Sequence, residues 1–193
     1  MRRGVFRLGG RGFTLMEVLV ATALTGILAL GAYHFYTAMN QQVVSQQDIA
    51  EMQQINRACL EEIATTLRSA GYMLSGHDAY LITGDSLYVF LSETKPVDTV
   101  LYFLEEFSDG DYQTMMVGRP DGMVVYKLMK QVNSAAPVVF ADFLTQIIYT
   151  PIGSKTIAIT LEVQTARKDE TLPDNNGFRK FINTERVVLR NVS

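Results

Sequence analysis

One uninterrupted apolar segment constrains this chain more than any other feature of its sequence. Residues 13–36 read FTLMEVLVATALTGILALGAYHFY, and Glu17 is the one Asp, Glu, Lys or Arg among these 24 residues. A helix of this length, at about 1.5 Å per residue, extends roughly 36 Å, whereas a hydrocarbon core is about 30 Å thick. A helix that is apolar on every side is rarely the core helix of a soluble domain. We therefore predict a transmembrane helix over residues 13–36.

The charges on the two sides of this segment predict its orientation. Residues 1–12 contain four arginines and no acid, whereas residues 40–54 contain acids and no Lys or Arg. Positive charge beside a membrane helix is retained in the cytoplasm. We predict a single pass through a membrane, with a cytoplasmic N-terminus and a head over residues 37–193 on the other side.

The composition excludes several classes of protein. Hydrophobic residues make up 48% and charged residues 19%, which is too apolar for a disordered chain. A formal net charge of −3 argues against nucleic-acid binding, for which a basic excess is typical. One cysteine and two histidines supply neither an internal disulfide nor a thiolate metal cluster. No nucleophile–base pair or phosphate-binding glycine loop is evident, so we expect no enzymatic activity, small-molecule substrate or cofactor.

Glu17 is unusual because it lies inside the apolar segment. A charge at membrane depth costs about 2.5–3.5 kcal/mol on insertion scales, so an acid there is by default a functional residue. A secretory signal peptide also has a basic start, but its apolar part is shorter and gains nothing from a carboxylate. The alternative for Glu17 is a position at the membrane interface, with the side chain extended towards water.

The segment Gly12-Phe13-Thr14-Leu15-Met16-Glu17, ahead of the apolar run, resembles the type IV prepilin cleavage and methylation motif. In that family a membrane peptidase cuts a short basic leader after Gly, and the same enzyme methylates the new terminal amine. The resemblance implies a leader over residues 1–12, cleavage between Gly12 and Phe13, and N-methylation of Phe13. It also implies that the Glu17 carboxylate neutralises the amine of a neighbouring subunit during assembly.

Small residues recur at four-residue spacing along the same helix. Such rows allow helix backbones to approach closely in lipid, which predicts packing against other subunits. Ordinary use of Ala and Gly in a membrane helix would give a similar pattern, and that alternative stays open. One row is Ala21, Thr25 and Ala29, and the other is Thr22 and Gly26.

The helical pattern continues beyond the membrane segment. No Pro or Gly interrupts residues 37–70, and apolar residues recur at spacings of three and four, which indicates one buried helical face. We predict one helix from about Thr14 to Ser69, whose second half packs on the head and in which Cys59 is a small core residue. The predicted face is Ile49, Met52, Ile55, Cys59, Ile63 and Leu67.

After Gly71 the pattern changes to the alternation of apolar and polar residues that is typical of strands. Arg119-Pro120-Asp121-Gly122 predicts a tight turn and a hairpin between the strands on either side of it. Short strands without helices between them favour an antiparallel sheet. The predicted fold class is therefore α+β, with a long N-terminal helix packed on an antiparallel sheet. The predicted strands are Ser86–Leu91, Thr99–Glu105, Gln113–Val117, Met123–Lys130, Leu144–Thr150, Thr156–Thr165 and Phe178–Arg190.

Two further segments resemble PilW-type minor pilins. Thr66–Tyr72 reads TLRSAGY, and Thr184–Asn191 reads TERVVLRN. The resemblance implies a pilin-like fold and a subunit that primes type IV pilus assembly with other minor pilins and the major pilin. The neighbouring family is the J-type minor pseudopilin of type II secretion, which is the close alternative. A signal-anchored periplasmic binding module is the more distant one.

Two acidic loops contain oxygen ligands that calcium accepts. They are Asp109-Gly110-Asp111 and Asp174-Asn175-Asn176-Gly177. Neither loop has the ligand count of a defined calcium motif, and Asp, Asn and Gly are common turn residues. We therefore expect no metal, with calcium at Asp109/Asp111 or Asp174/Asn176 as the alternative.

Overall fold

A computed structural model describes residues 13–72, 78–92, 98–114, 124–169 and 175–191. Internal contacts divide the chain into two compact units, which meet in sequence between Val44 and Ser45. Helix α1, Leu15–Ser69, supplies most of the described first unit and the first element of the second. The prediction of one helix from about Thr14 to Ser69 is confirmed.

The described residues after α1 form a seven-stranded sheet in which every neighbouring pair is antiparallel. The strands lie in the sheet in chain order, so each pair of neighbours in the sheet is also consecutive along the chain. The predicted α+β class with a long N-terminal helix is confirmed. The elements are β1 Tyr80–Thr83, β2 Ser86–Ser92, β3 Asp98–Glu106, α2 Asp109–Thr114, β4 Tyr126–Val132, β5 Val138–Ile152, β6 Thr156–Gln164 and β7 Lys180–Val188.

The second half of α1 packs against one face of this sheet. Its side chains between Met52 and Leu67 share a core with strand residues from β2 to β7. Strand β6 supplies the alternating side chains that the sequence predicts, and each is almost completely buried. Burial of one such side chain stabilises the fold by about 1.5–3 kcal/mol. These β6 residues are Ile157, Ile159, Leu161 and Val163.

The buried face of α1 is wider than the predicted face, because Leu60 and Ala64 are also buried, and it differs further around Asn56. Ile49 and Ile55 are half-buried, whereas Asn56 is buried completely. The Asn56 Nδ2 donates a hydrogen bond to the Leu161 backbone oxygen at 3.1 Å. A hydropathy pattern counts apolar residues, so it does not find a buried amide whose partner is distant in sequence.

Polar contacts fix the side of α1 that faces strand β3. The Tyr102 hydroxyl lies 2.9 Å from Thr66 Oγ1 and donates to Glu62 Oε1 at 3.4 Å. Lys130 Nζ pairs with the same Glu62 oxygen at 2.5 Å. Burial raises the pKa of Tyr102, so its hydroxyl stays neutral and can donate. These contacts set the rotation of α1 about its axis, which the apolar face alone specifies less sharply.

Helix α1 ends where Gly71 adopts a φ of +76°, a left-handed conformation that glycine takes without strain. The Gly71 N–H donates to the Phe90 oxygen at 2.9 Å, which ties the helix end to β2. A Cβ on this residue would lie 2.8 Å from the backbone oxygen of Asn191. Position 71 therefore requires glycine both for its conformation and for the approach of the C-terminal segment.

The two segments that resemble PilW-type pilins contact each other. Arg68 pairs with Glu185 at 3.1 Å, and Asn191 Nδ2 donates to the Ala70 oxygen at 3.3 Å. Residues more than 110 positions apart thus close the end of α1 on the last strand. This contact gives both segments a structural role within one head.

The predicted strand Gln113–Val117 is wrong where the structure describes it. Residues 109–114 form α2, and the remainder of the range lies outside the described residues, together with the predicted turn at 119–122. Local capping bonds between Ser108 and Asp111 start this helix and override a weak alternating pattern. The predicted hairpin is also wrong, because β4 pairs with β3 and β5.

Two strand segments were not predicted. Strand β1 has four residues, which is too few to show a period of two. Strand β5 begins at Val138, before the predicted Leu144, and its register shifts against both neighbours. Phe143 has a φ of +62° in this irregular part, so the alternation of faces is broken there.

Cys59 reports on the integrity of the helix–sheet core. It is 1% exposed, and burial raises the pKa of its thiol to about 12. We predict that a thiol reagent labels the folded full chain in detergent micelles very slowly and labels it rapidly in denaturant. Ile63→Ala removes buried volume beside Cys59. This substitution should lower the free energy of unfolding by about 2–5 kcal/mol, so the reagent should label Cys59 faster.

Ile182→Ala is the matched control, because Ile182 is 59% exposed and Ile63 is 0% exposed. This variant should leave the labelling rate nearly unchanged. Equal acceleration by the two substitutions would contradict the burial of this face of α1.

Candidate functional site

The first turn of α1 brings Glu17 against Thr14. The Thr14 backbone N–H and hydroxyl donate to Glu17 Oε2 at 2.9 and 3.0 Å. In return, the Glu17 N–H donates to Thr14 Oγ1 at 3.3 Å. This reciprocal arrangement is a capping box, which satisfies N–H groups that a helix start leaves without partners. Glu17 therefore stabilises the start of its own helix in addition to supplying a negative charge.

One shallow groove runs along the first turns of α1. It brings together Phe13, Glu17 and members of both rows of small residues, whereas Gly26 and Ala29 lie further along the helix. The Phe13 side chain is 86% exposed at the start of the groove. The Phe13 side chain and the Glu17 carboxylate are thus both exposed on this side of the helix. The groove residues are Phe13, Glu17, Val18, Ala21, Thr22 and Thr25.

The two threonines of the groove use their hydroxyl protons within the helix. Thr22 Oγ1 donates to the Leu19 oxygen at 2.9 Å, and Thr25 Oγ1 donates to the Ala21 oxygen at 2.8 Å. A hydroxyl without a partner is unfavourable in an apolar medium. Because these donors are already bonded, both threonines behave as small residues at a helix contact.

Helix α1 is long and apolar enough to cross a membrane, by length and composition. None of its most apolar 18-residue window is buried by other described residues. Exposed side chains there include Leu15, Leu24 and Leu28. An apolar surface of this extent is unfavourable in water, so this part of the helix fits a membrane anchor of the pilin kind.

The acids at 109 and 111 take part in the start of α2. Asp111 Oδ2 accepts bonds from the Ser108 N–H and hydroxyl, both at 2.8 Å. Asp111 Oδ1 accepts a bond from Lys127 Nζ at 2.5 Å. Lys127, followed by Ser108, lowers the pKa of the Asp111 carboxyl to about 2. A calcium ion at Asp111 would have to displace these contacts, so calcium at Asp109/Asp111 remains a hypothesis that the geometry disfavours.

The second acidic loop is described in part. Asn176 has a φ of +55° and precedes Gly177, whose φ is +86°. The Asp169 N–H donates to the Gly177 oxygen at 2.7 Å, which closes the turn. Asp174 lies outside the described residues. Within the described ranges, no three His, Cys, Asp or Glu side chains converge as metal ligands would.

The capping role of Glu17 was missed in the sequence although its signal was present. Thr14 followed three residues later by Glu17, ahead of an apolar run, is the sequence signature of a capping box. Gly12 lies outside the described residues. The structure therefore shows that Glu17 caps its own helix. An experiment on assembly has to separate this capping from the effect of the charge.

Substitutions at Glu17 should separate its capping role from its charge. Glu17→Gln keeps an acceptor for the Thr14 N–H, whereas Glu17→Ala removes it. In the full chain in micelles, Ala should accelerate amide exchange over residues 14–17 by roughly 2- to 30-fold, equivalent to about 0.5–2 kcal/mol. Hydrogen exchange measures this change, and Thr14→Ser is the control that keeps the cap. Equal acceleration by Gln and Ala would contradict the capping box.

Residues 9–33 match the family described as the prokaryotic N-terminal methylation motif. The matched range contains Phe13, Glu17 and both rows of small residues. Comparison with curated proteins and with solved structures gives no match. The motif supports a type IV prepilin-like protein, of the pilin or the pseudopilin kind.

The motif and the fold together point to a structural protein rather than an enzyme. The motif also implies processing by a prepilin peptidase and assembly into a pilus or a pseudopilus. The chain thus carries the N-terminal methylation motif of prepilin-like proteins on an exposed apolar helix, followed by an α+β head.

Proposed function

We propose that this chain is a minor pilin, an assembly subunit that primes or stabilises a type IV pilus. The subunit is inserted in the inner membrane with its N-terminus in the cytoplasm and residues 37–193 in the periplasm. After processing it enters the filament with other minor pilins and the major pilin. The methylation motif over residues 9–33, with Glu17 in the first turn of an apolar helix, carries this proposal.

Processing prepares the helix end for assembly. The prepilin peptidase cuts between Gly12 and Phe13 and methylates the Phe13 amine. Gly at position 12 presents no side chain to the protease. The capping box survives the cut, because the Thr14 N–H that Glu17 accepts belongs to the peptide bond after Phe13.

The two carboxylate oxygens of Glu17 can then serve two roles, capping of α1 through Oε2 and pairing with another subunit through Oε1. Both bonds from Thr14 end on Oε2, and no bond to Oε1 forms within the described part of the chain. An unpaired carboxylate is unfavourable in an apolar bundle, whereas an amine beside it restores charge neutrality. We infer that the methylated amine of a neighbouring subunit donates a hydrogen bond to Oε1.

The rows of small residues let that neighbour approach. Close backbone contact requires small side chains on one helical face. The hydroxyls of Thr22 and Thr25 are bonded within α1, so neither requires a partner across the contact. The proposed packing residues are Ala21, Thr22, Thr25, Gly26 and Ala29.

We predict that mature protein begins at Phe13 and carries one methyl group on its amine. Intact-mass and N-terminal peptide analysis of protein from the native envelope tests this. Gly12→Ala should slow processing less than Gly12→Leu, because the constraint is steric. A mature start near Ala32, or an uncut Met1, would argue against a prepilin.

Glu17→Gln should impair incorporation into filaments as strongly as Glu17→Ala, since both remove the negative charge. Membrane insertion should persist in both, because it becomes easier by about 2.5–3.5 kcal/mol without the charge. Thr14→Ala, which weakens the cap and keeps the charge, should impair incorporation less. Immunodetection of each variant in sheared-filament fractions measures the effect. Normal incorporation of Glu17→Gln would mean that capping is all that Glu17 contributes.

Deletion of the protein should reduce surface filaments sharply without loss of major-pilin expression. A nucleating subunit matters at low copy number, because starting a helical polymer is slower than extending it. Filament counts by electron microscopy and assays of secreted hydrolases test this. Normal filaments with lost secretion would identify a type II secretion pseudopilin. Normal results in both assays would contradict an assembly role and favour a signal-anchored periplasmic binding module.

A further inference from the structure

A cavity of about 560 Å³ lies between the second half of α1 and the start of β5, within the second unit of the chain. Binding pockets have volumes of roughly 300–1,000 Å³. The floor of the cavity includes Cys59 and Ala141, which are buried, whereas its α1 residues at the rim are exposed, so it opens to solvent. Its walls are formed by Glu51, Gln54 and Ala58 of α1 and by Phe140, Asp142 and Phe143 of β5.

An irregularity of β5 places Asp142 in this cavity. Ala141 and Leu144 are both buried in the core, so two residues lie between inward-facing positions where a regular strand has one. In the described sheet neither Asp142 nor Phe143 has a register partner, and Phe143 has a φ of +62°. A bulky residue rarely adopts this left-handed conformation. Bulges of this kind redirect side chains and are frequent beside active sites.

The Asp142 carboxyl has one oxygen that is buried without a partner. This oxygen, Oδ1, accepts no hydrogen bond from the described residues. Burial raises the pKa of the Asp142 carboxyl, and the charge of Lys127 opposes this shift. Lys127 Nζ, however, is bonded to Asp111 at 2.5 Å. Because buried carboxylates are normally paired or hydrogen-bonded, Asp142 lacks the cation that such a group requires.

The chemistry of the lining favours a guanidinium group on an apolar stem. Glu51 supplies a second acid and Gln54 an amide oxygen, and none of the described lining residues is Lys or Arg. A guanidinium is less strongly hydrated than an ammonium, and it stacks on aromatic rings such as those of Phe140 and Phe143. It also donates five N–H groups in one plane to oxygen acceptors. An arginine side chain joins this group to an apolar stem.

We propose that this cavity binds an arginine side chain of a partner protein, with the guanidinium at Asp142 and the stem against Ile55 and Phe140. The formal net charge of −3 includes the four arginines of residues 1–12, so residues 13–193 carry −7. A chain of this charge attracts a basic partner surface. Arginines that fill pockets are frequent anchors of protein interfaces. The proposal does not depend on the pilus function, and its failure would leave that function unaffected.

NMR titration of the isotope-labelled full chain in detergent micelles tests the class of ligand. The probe is the tripeptide alanine–arginine–alanine with acetyl and amide end groups. It should shift the backbone amides of residues 141–143 with half-saturation at about 1 mM, since one side chain supplies the contacts. The matched leucine peptide should give no saturable shift, and the lysine peptide should bind several-fold more weakly. Free L-arginine should also bind more weakly, because the acids of the cavity repel its carboxylate.

Substitutions then test the site. Asp142→Asn removes the charge and keeps the size, so it should raise the dissociation constant of the arginine peptide at least about tenfold. Asp85→Asn, the same change at an exposed position outside the cavity, is the matched control and should have little effect. Ala58→Leu fills the cavity and keeps both acids, so it should block binding, whereas Ala38→Leu on the exposed part of α1 should not. Slow labelling of Cys59 shows that each variant is folded.

Several outcomes would overturn the proposal. Equal binding of the leucine or lysine peptide would show that the cavity does not select a guanidinium. Equal losses in Asp142→Asn and Asp85→Asn, or binding that persists in Ala58→Leu, would indicate attraction to the acidic surface alone. Tighter binding of free L-arginine than of the peptide would indicate a small-molecule site. The absence of a saturable shift at about 10 mM arginine peptide would exclude an arginine site.

Discussion

The second half of α1 and the inner face of the sheet each present an apolar surface that is buried in the contact between them. Ile63 and Leu67 on the helix are completely buried, as are Ile157 and Ile159 on β6. Most of the apolar burial in the second unit belongs to this contact, and the other features of the head depend on it. The bonds of Tyr102 with Thr66 and Glu62 then select one rotation of the helix. Asn56 contributes in the same way, because its amide has one matching carbonyl, that of Leu161.

A capping box begins both α1 and α2, but among the described residues its acid is paired with a cation only in α2. Thr14 and Glu17 cap α1, and Ser108 and Asp111 cap α2 with equivalent bonds. Asp111 is also paired with Lys127, which holds its pKa low. No described cation lies in hydrogen-bond contact with Glu17. The charge of Asp111 is therefore compensated within the head, whereas no described cation compensates that of Glu17.

The C-terminal segment closes the head on one side and leaves it open on the other. Arg68 and Ala70, at the end of α1, bind Glu185 and Asn191, so the last strand is held against the helix. The opposite edge of β7 has no strand partner among the described residues.

Local sequence determined the helices' starts and stops, the apolar segment and the alternation of β6, because each depends on neighbours within a few residues. The capping box of Thr14 and Glu17 was equally readable, since its partners are three residues apart. Tertiary structure alone decided that Asn56 is buried and that β5 begins at Val138. It also joined Arg68 to Glu185. These outcomes depend on partners far along the chain or on irregular register, which leave no periodic signal in the sequence.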